Sequence, residues 1–315
     1  VKALLVLAAF SLAAQQPSFR TETRIVQVPV SVTDSKGANV DGLKAPDFRL
    51  EDDGVARPVT LDTFGSGAAP ISLVIAIQTS GISKPAVAKV RRIGVMIQPL
   101  VIGKRGEAAV VTFNDDIDWR LNFSHNGDAI QHAIKAIQAP DSPRSSMQAR
   151  LLDTVFDAAD LMKDRPGRRV LLVISENKDR GSHTKLEQAM EAVERQGIEV
   201  FAATYSAAAT TWIADPGDLP PPSGANYLTV FTELFRLGKT NHALALTQAT
   251  GGSDYTFLRE RGIEKAIESL GVDVHSQYIL SFPQPKDAHG MHRIELSIPN
   301  RTDLRIRARQ AYWAD

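Results

Sequence analysis

Residues 71–83 read ISLVIAIQTSGIS, an apolar run from Ile71 to Ile77 interrupted only by Ser72 and followed by a small polar turn of Gln78, Thr79, Ser80, Gly81 and Ser83. Side chains of a strand alternate between its two faces, so a strand apolar at successive positions has no face left for water and must be covered on both sides. In open α/β sheets ligands collect beyond the carboxyl ends of such strands, which makes this turn the place to look for function.

The chain downstream repeats the theme. Apolar strands at 108–113, 170–174 and 198–204 are separated by helical periodicity. Leu186, Ala189, Met190 and Val193 fall at i, i+3, i+4 and i+7, and Leu151, Leu152, Val155, Phe156, Ala159 and Met162 trace a second such face. Strands alternating with helices over short links predict right-handed crossovers and an α/β domain with a doubly wound, mainly parallel, Rossmann-like sheet. Asn114-Asp115-Asp116 is hairpin-turn chemistry, so residues 117–123 are expected to add an antiparallel edge strand. A short strand near Tyr255 and a helix at 262–270 complete the domain. Residues 206–239, broken by Asp215-Pro216-Gly217-Asp218-Leu219-Pro220-Pro221-Pro222, read as an insertion at the sheet's rim, a length of loop that is commonly functional.

The two ends of the chain follow a different rule. In residues 24–33, Val26, Val28, Val30 and Val32 alternate with Gln27, Pro29 and Ser31, the period of a half-buried strand that Pro29 favours placing at an edge. Turn chemistry at 34–37 and 51–54 flanks strands at 48–50 and 59–64, and residues 65–70 mark a boundary. Alternating segments recur at 277–282, 292–298 and 304–309. The expected organisation is therefore a β unit at 18–64, an α/β domain at 70–270 carrying the 206–239 insertion, and C-terminal strands at 271–313 that pack with the first unit as a small β-sandwich.

With 43% hydrophobic and 23% charged residues in 315, the composition is that of an ordinary folded protein. Lys plus Arg number 36 and Asp plus Glu number 36, so no net positive field draws in nucleic acid. The absence of cysteine removes disulfides, thiolate metal sites and a cysteine nucleophile. Lys2, the apolar residues 3–10 and then Ser11-Leu12-Ala13-Ala14-Gln15-Gln16 read as a signal peptide over 1–16, cleaved near Ala14, which predicts export to the periplasm or the cell exterior. No later run approaches ~18 apolar residues, so no integral membrane segment is expected once the leader is removed.

Several candidate motifs fail on spacing. Gly238-Lys239-Thr240 has Glu233 where a phosphate-binding loop needs its first glycine. Gly65-Ser66-Gly67 is not a nucleophile elbow. His289 and His292 flank Gly290 in what reads as an exposed turn entering a strand, without a partner set for zinc. Asp115, Asp116 and Asp118 lack the regular ligand spacing of a calcium loop, and a solvated hairpin accounts for them. Trp119, Trp212 and Trp313 are scattered; Trp212, in the insertion, is the candidate contact residue, with a packed loop anchor as the equal alternative.

The order of features resembles the von Willebrand factor A (VWFA) domain, and within it the secreted bacterial VWFA-related proteins of acidobacterial type. The residues that carry the resemblance are Val32-Thr33-Asp34-Ser35-Lys36-Gly37, Val40-Asp41-Gly42-Leu43, Asp47-Phe48 and Glu51-Asp52-Asp53-Gly54 at the start. They continue with Ala109-Val110-Val111-Thr112-Phe113, Leu151-Leu152-Asp153, residues 166–175 (PGRRVLLVIS) and Thr250-Gly251-Gly252, then Gln277-Tyr278-Ile279-Leu280 and residues 304–309 (LRIRAR) at the end. The resemblance implies a divalent cation, usually Mg²⁺, held over the sheet's carboxyl edge by an Asp-x-Ser-x-Ser turn, a Thr and an Asp from two further loops, and completed by an acidic group of a partner protein. This chain departs at each loop. Gln78 stands at the first Asp position, Ser80 is retained, Ile82 replaces the second Ser with Ser83 one place late, Ala149 takes the Thr position, and Glu176, followed by Asn177, takes the third loop's Asp position. One carboxylate and one hydroxyl remain, too few for an octahedral Mg²⁺ site unless Asp179, Ser146 or Asp115 moves in.

The expectation is an exported, non-enzymatic protein-binding module without metal or other cofactor. Its degenerate edge, at Gln78, Ser80, Ile82, Ser83, Ala149, Glu176 and Asn177, would meet a protein partner by hydrogen bonds, with the 206–239 insertion shaping specificity. The rivals are a cation-dependent adhesin, an enzyme whose ligands lie elsewhere, and a structural envelope protein that makes its contacts through the β unit.

Overall fold

The computed structural model describes residues 24–62, 69–80, 84–138, 147–205, 238, 241–256 and 262–314. The leader, the boundary at Gly65 and Gly67, Ile82, Ser83, Ser146, Trp212, Lys239, Thr240 and all of the 206–239 insertion except Gly238 lie outside the described residues.

Four strands open the described chain: β1 (Ile25–Thr33), β2 (Arg49–Asp52), β3 (Val55–Arg57) and β4 (Thr60–Asp62). The α/β part follows, with β5 (Ile71–Gln78), α1 (Lys84–Val90), α2 (Gly94–Ile97), β6 (Glu107–Phe113), β7 (Ile117–Ser124), α3 (Gly127–Lys135), α4 (Leu151–Leu161) and β8 (Arg168–Ser175). It continues through α5 (Leu186–Arg195), β9 (Glu199–Thr204), α6 (His242–Thr250), β10 (Asp254–Thr256) and α7 (Gly262–Ser276). The strands β11 (Tyr278–Pro283), β12 (Gly290–Ser297), β13 (Arg305–Ala308) and β14 (Ala311–Ala314) close it.

All eight residues of β5 are buried, as a strand apolar at successive positions requires. It lies inside a six-stranded sheet of order β10-β9-β8-β5-β6-β7, parallel except for β7, which runs antiparallel to β6 at the edge. Leu73, Ile75 and Ile77 pack with Ile97, Ile130, Ile134, Ile267 and Leu270, from α2, α3 and α7. Val74 and Ala76 face the other way, into Leu152, Val155, Met190, Val193 and Leu246, from α4, α5 and α6. The period-2 alternation of one strand thus feeds two separate cores.

The outer strands form two four-stranded antiparallel sheets, β13-β1-β11-β4 and β14-β12-β2-β3. Val28, Val30, Leu280 and Phe282 of the first close over Leu50, Ile294 and Tyr312 of the second. Pairing of β1 with β11 and of β2 with β12 interleaves the two ends of the chain. The molecule is thus mixed α/β, a mainly parallel sheet joined to antiparallel ones.

Several local expectations need correction. Strand β1 is not an edge strand, since it lies between β13 and β11. Pro29 is tolerated there because β13 pairs only with Val30–Thr33, and Arg309 Nη1 rather than a strand takes the Gln27 carbonyl, at 3.4 Å. Phe156 is 45% exposed, since it follows Val155 by 100° of helical rotation and turns out of the buried arc. Helix α7 continues past Leu270 through Gly271, where a Cβ would stand 2.5 Å from the Leu100 carbonyl oxygen; that glycine serves close packing and does not end the helix. His292 lies within β12 instead of an exposed turn, and β14 is a further C-terminal strand without a strong alternating signal.

Arginines join the β unit to the α/β part. Arg309, 6% exposed, pairs with the buried Glu194 of α5. Burial pushes the Glu194 carboxyl up, a shift that Arg309 opposes without reversing. Arg307 reaches Asp273 of α7 at 2.9 Å, and the Gln310 N–H donates to the Ala249 carbonyl at 3.0 Å. A buried pair adds little over an apolar substitute, but removing one member strands the other. Replacing Arg309 with Met is therefore expected to cost about 3–5 kcal/mol in urea unfolding, while the double replacement R309M/E194L costs less than that single change.

Candidate functional site

The order of strands reverses between β5 and β8: the chain leaves β5 toward β6 and leaves β8 toward β9 on the opposite side. Such a switch point opens a crevice at the carboxyl ends, here between Gln78 and Ser175-Glu176. Gln78, 1% exposed, spans it. Its Oε1 accepts the Glu176 N–H at 2.9 Å and its Nε2 donates to the Ser80 hydroxyl at 2.5 Å. An amide offers both a donor and an acceptor without charge. A carboxylate at this position would be acceptor-only and, buried, would demand a cation.

The neighbouring loops are tied in turn. Thr79 N–H donates to the Phe113 carbonyl at 2.9 Å, and Asn114 Nδ2 donates to the Thr79 hydroxyl at 3.2 Å. Ala149 and Arg180 exchange two backbone hydrogen bonds, of 2.8 and 2.9 Å, so the loop before α4 and the loop after β8 form a one-rung ladder. The Arg180 guanidinium pairs with Glu176, leaving its own Nε buried without a hydrogen-bond partner, as is Asn177 Oδ1. Asp179 accepts from the Leu152 N–H at 3.0 Å and from the Ser182 hydroxyl at 2.5 Å. The Asp179 N–H in turn donates to His242 Nδ1 at 3.2 Å, which leaves that nitrogen unprotonated; burial lowers the His242 pKa and agrees with a neutral ring.

Beneath the edge lies Asp153. Burial alone would raise its pKa, but hydrogen bonds from Thr184, from the His183 N–H and from Arg150 outweigh it and bring the carboxyl down to about 2. Asp115 Oδ1 accepts the Gln148 N–H at 3.2 Å, and Asp118 pairs with Arg120 at 3.2 Å, so the acidic turn does not converge. On the outer strand Asp254 is raised to about 6 by burial, opposed by a 2.8 Å hydrogen bond from the Thr204 hydroxyl.

The edge thus brings together Gln78, Ser80, Ala149, Glu176 and Asn177. Gln78 and Ser80 are buried and bonded to each other, so the side chains they position, rather than their own, meet solvent. Neither Asp179 nor Asp115 turns toward Gln78 as a replacement ligand; each is occupied by backbone N–H groups. Among the described residues of the edge the donor set does not fit Mg²⁺: Gln78 offers an amide, Ala149 a methyl group, and the one carboxylate, Glu176, is already paired with a guanidinium. Arg180 and His242 escaped the sequence reading. Arg180 is four residues from Glu176, a spacing informative on a helix but silent in a loop. Trp119 packs against the core beneath α4, and Trp313 lies under Arg195 at 4.3 Å.

The described residues form a mixed α/β protein with a mainly parallel sheet joined to antiparallel ones. No protein-family model matches the chain, and no curated protein matches it. Among solved structures it is similar to the conserved hypothetical protein BatB from Bacteroides thetaiotaomicron (12% identity, TM-score 0.44, covering 65% of this chain and 98% of that one). An aerotolerance-related membrane protein from Bacteroides fragilis gives 14% identity and TM-score 0.44, over 64% of this chain and 98% of that one. Proximal thread matrix protein 1 from the mussel byssus gives 12% and 0.46, over 72% and 50%. At these values the likenesses carry no argument about residues or function. No helix among the described residues is long and apolar enough to cross a membrane.

Asp153 and Asp254, shifted in opposite directions, predict opposite pH behaviour. Asp153, with its folded pKa lowered from 3.8 to about 2, stabilises the protein above the unfolded value, and that contribution is lost as pH falls through 4 toward 2. D153N should remove about 2 kcal/mol at neutral pH in urea unfolding and flatten the acid limb. Asp254, raised to about 6, contributes stability below about 4 that is lost as pH rises through 6. D254N should therefore raise the urea midpoint at pH 7 to 8 and leave it nearly unchanged at pH 4.

Proposed function

We propose that this chain is an exported, non-enzymatic VWFA-like module with a doubly wound sheet, whose carboxyl edge binds a protein partner without a metal ion. The observation that carries the reading is the Gln78 side chain, which bridges the switch-point crevice where the resembling family would hold its cation. An amide and a guanidinium replace the ion's two tasks, holding the loops together and neutralising the Glu176 charge. The edge is therefore organised before any partner arrives, which lowers the ordering cost of binding. Met147, 73% exposed beside Ala149, adds an apolar contact, and the partly exposed Arg180 guanidinium adds a charged one. Export rests on the leader at residues 1–16.

The test begins with chelator-stripped protein melted with and without excess Mg²⁺, Mn²⁺ or Ca²⁺. A site saturated at ~100 times its dissociation constant adds ~2.7 kcal/mol, roughly 5–10 °C for a domain of this size. No shift is expected from these three ions. Partner capture from the exported fraction should then persist in chelator and weaken at least tenfold in the double variant Q78A/E176A. A shift that E176A abolishes would replace this reading with a cation-bridged adhesin.

A further inference from the structure

The β-sandwich holds a second cluster, remote in sequence from the sheet edge. Strand β2 ends in Asp52, which pairs in register with Ile294 of β12. Asp53 then leaves the strand at φ 49°, so the alternation that would send successive side chains to opposite faces is broken. Both carboxylates come round to one nitrogen: His292 Nδ1 lies 3.2 Å from Asp52 Oδ1 and 2.9 Å from Asp53 Oδ2. The ligand atoms of the three residues all lie within 4.8 Å of one another.

We infer that Asp52, Asp53 and His292 form a binding site for a divalent cation of zinc's class. Each side chain is oriented from outside the cluster. Arg57 grips Asp52 Oδ2 from Nη2 at 3.0 Å and from Nε at 3.1 Å, and the Arg293 N–H holds Asp53 Oδ1 at 2.9 Å. The His292 ring stacks on Tyr312 with centroids 5.1 Å apart. Asp52 Oδ1, Asp53 Oδ2 and His292 Nδ1 then face one another, with the Tyr312 hydroxyl donating to Asp52 Oδ1 at 3.3 Å as a further outer contact of the kind that orients metal ligands.

The geometry and charge suit such an ion. Ligand bonds of about 2.0–2.2 Å at angles between 90° and tetrahedral place N and O about 2.9–3.5 Å apart, and both observed separations fall in that range. An imidazole in the set favours zinc and its neighbours over Mg²⁺ and Ca²⁺, which prefer oxygen alone. Among the described contacts Arg57 offsets one of the two carboxylate charges, leaving the other for the cation to meet. Exposure rises from 1% at Asp52 through 16% at His292 to 46% at Asp53, so the ion has a side from which to enter and room for water as a remaining ligand. A neutral His292 that donates Nδ1–H to the carboxylates in the metal-free state would bind through the Nδ1 lone pair and carry its proton on Nε2. Solvent moves that proton, and none is released overall. The bound ion would staple the β2–β3 hairpin to β12, joining the two ends of the chain.

The test uses the whole chelator-stripped protein. Zn²⁺ should bind at one equivalent and raise Tm by roughly 5 °C or more at ~100-fold excess over its dissociation constant. Co²⁺ should give a visible d–d band at the same stoichiometry. D53N retains a residue that tolerates positive φ, and H292F retains the stack on Tyr312; each should weaken binding at least tenfold, while E176A should not. If H292F fails to fold, D53N decides alone. No saturable Zn²⁺ binding, or binding unchanged in D53N, would overturn the inference and leave a hydrogen-bonded ion triad. The insensitivity to E176A keeps this outcome separate from that of the proposed edge.

Discussion

Burial of β5 on both faces is the constraint from which the rest follows. With Leu73, Ile75 and Ile77 committed to one core and Val74 and Ala76 to the other, helices must cover both sides and the polar residues can gather only at the strand's end. The crossovers needed to supply those helices send the chain first to β6 and later to β8, and that reversal opens the crevice occupied by Gln78. The site is a consequence of how the core is covered.

At the crevice the physical problem is to hold three loops close without a buried uncompensated charge. A cation with carboxylate ligands is one solution. Here the Gln78 amide, the Ala149–Arg180 ladder and the Glu176–Arg180 pair form another, in which each attraction is internal to the chain. The difference bears on regulation as well as on binding. Under the proposed reading, an edge closed by hydrogen bonds would persist when divalent ions are scarce.

The β-sandwich is more than an appendage. Its arginines at 307 and 309 reach Asp273 and Glu194 across the junction, so the ends of the chain are tied to the faces of the α/β part through one partly exposed ion pair and one buried from water. The same sandwich draws Asp52 and Asp53 to His292, from segments about 240 residues apart. Neither contact contributes to the apolar core directly, yet each locks one end of the chain against the other.

What the sequence by itself determined is what depends on periodicity and local chemistry. Apolar runs marked β5, β6, β8 and β9, i, i+4 spacing marked α4 and α5, and the Asn114 turn marked the antiparallel β7. Each of these signals acts within a dozen residues, because side-chain direction along a strand or helix is fixed by local geometry. Only the tertiary structure decided that Gln78 would be sealed inside, that Arg180 would neutralise Glu176, that Pro29 would lie in an interior strand, and that His292 would meet two aspartates. Those outcomes depend on strand register, loop closure and burial, which bring together groups far apart in the chain; hydrogen bonding and charge compensation then settle which polar groups stay inside.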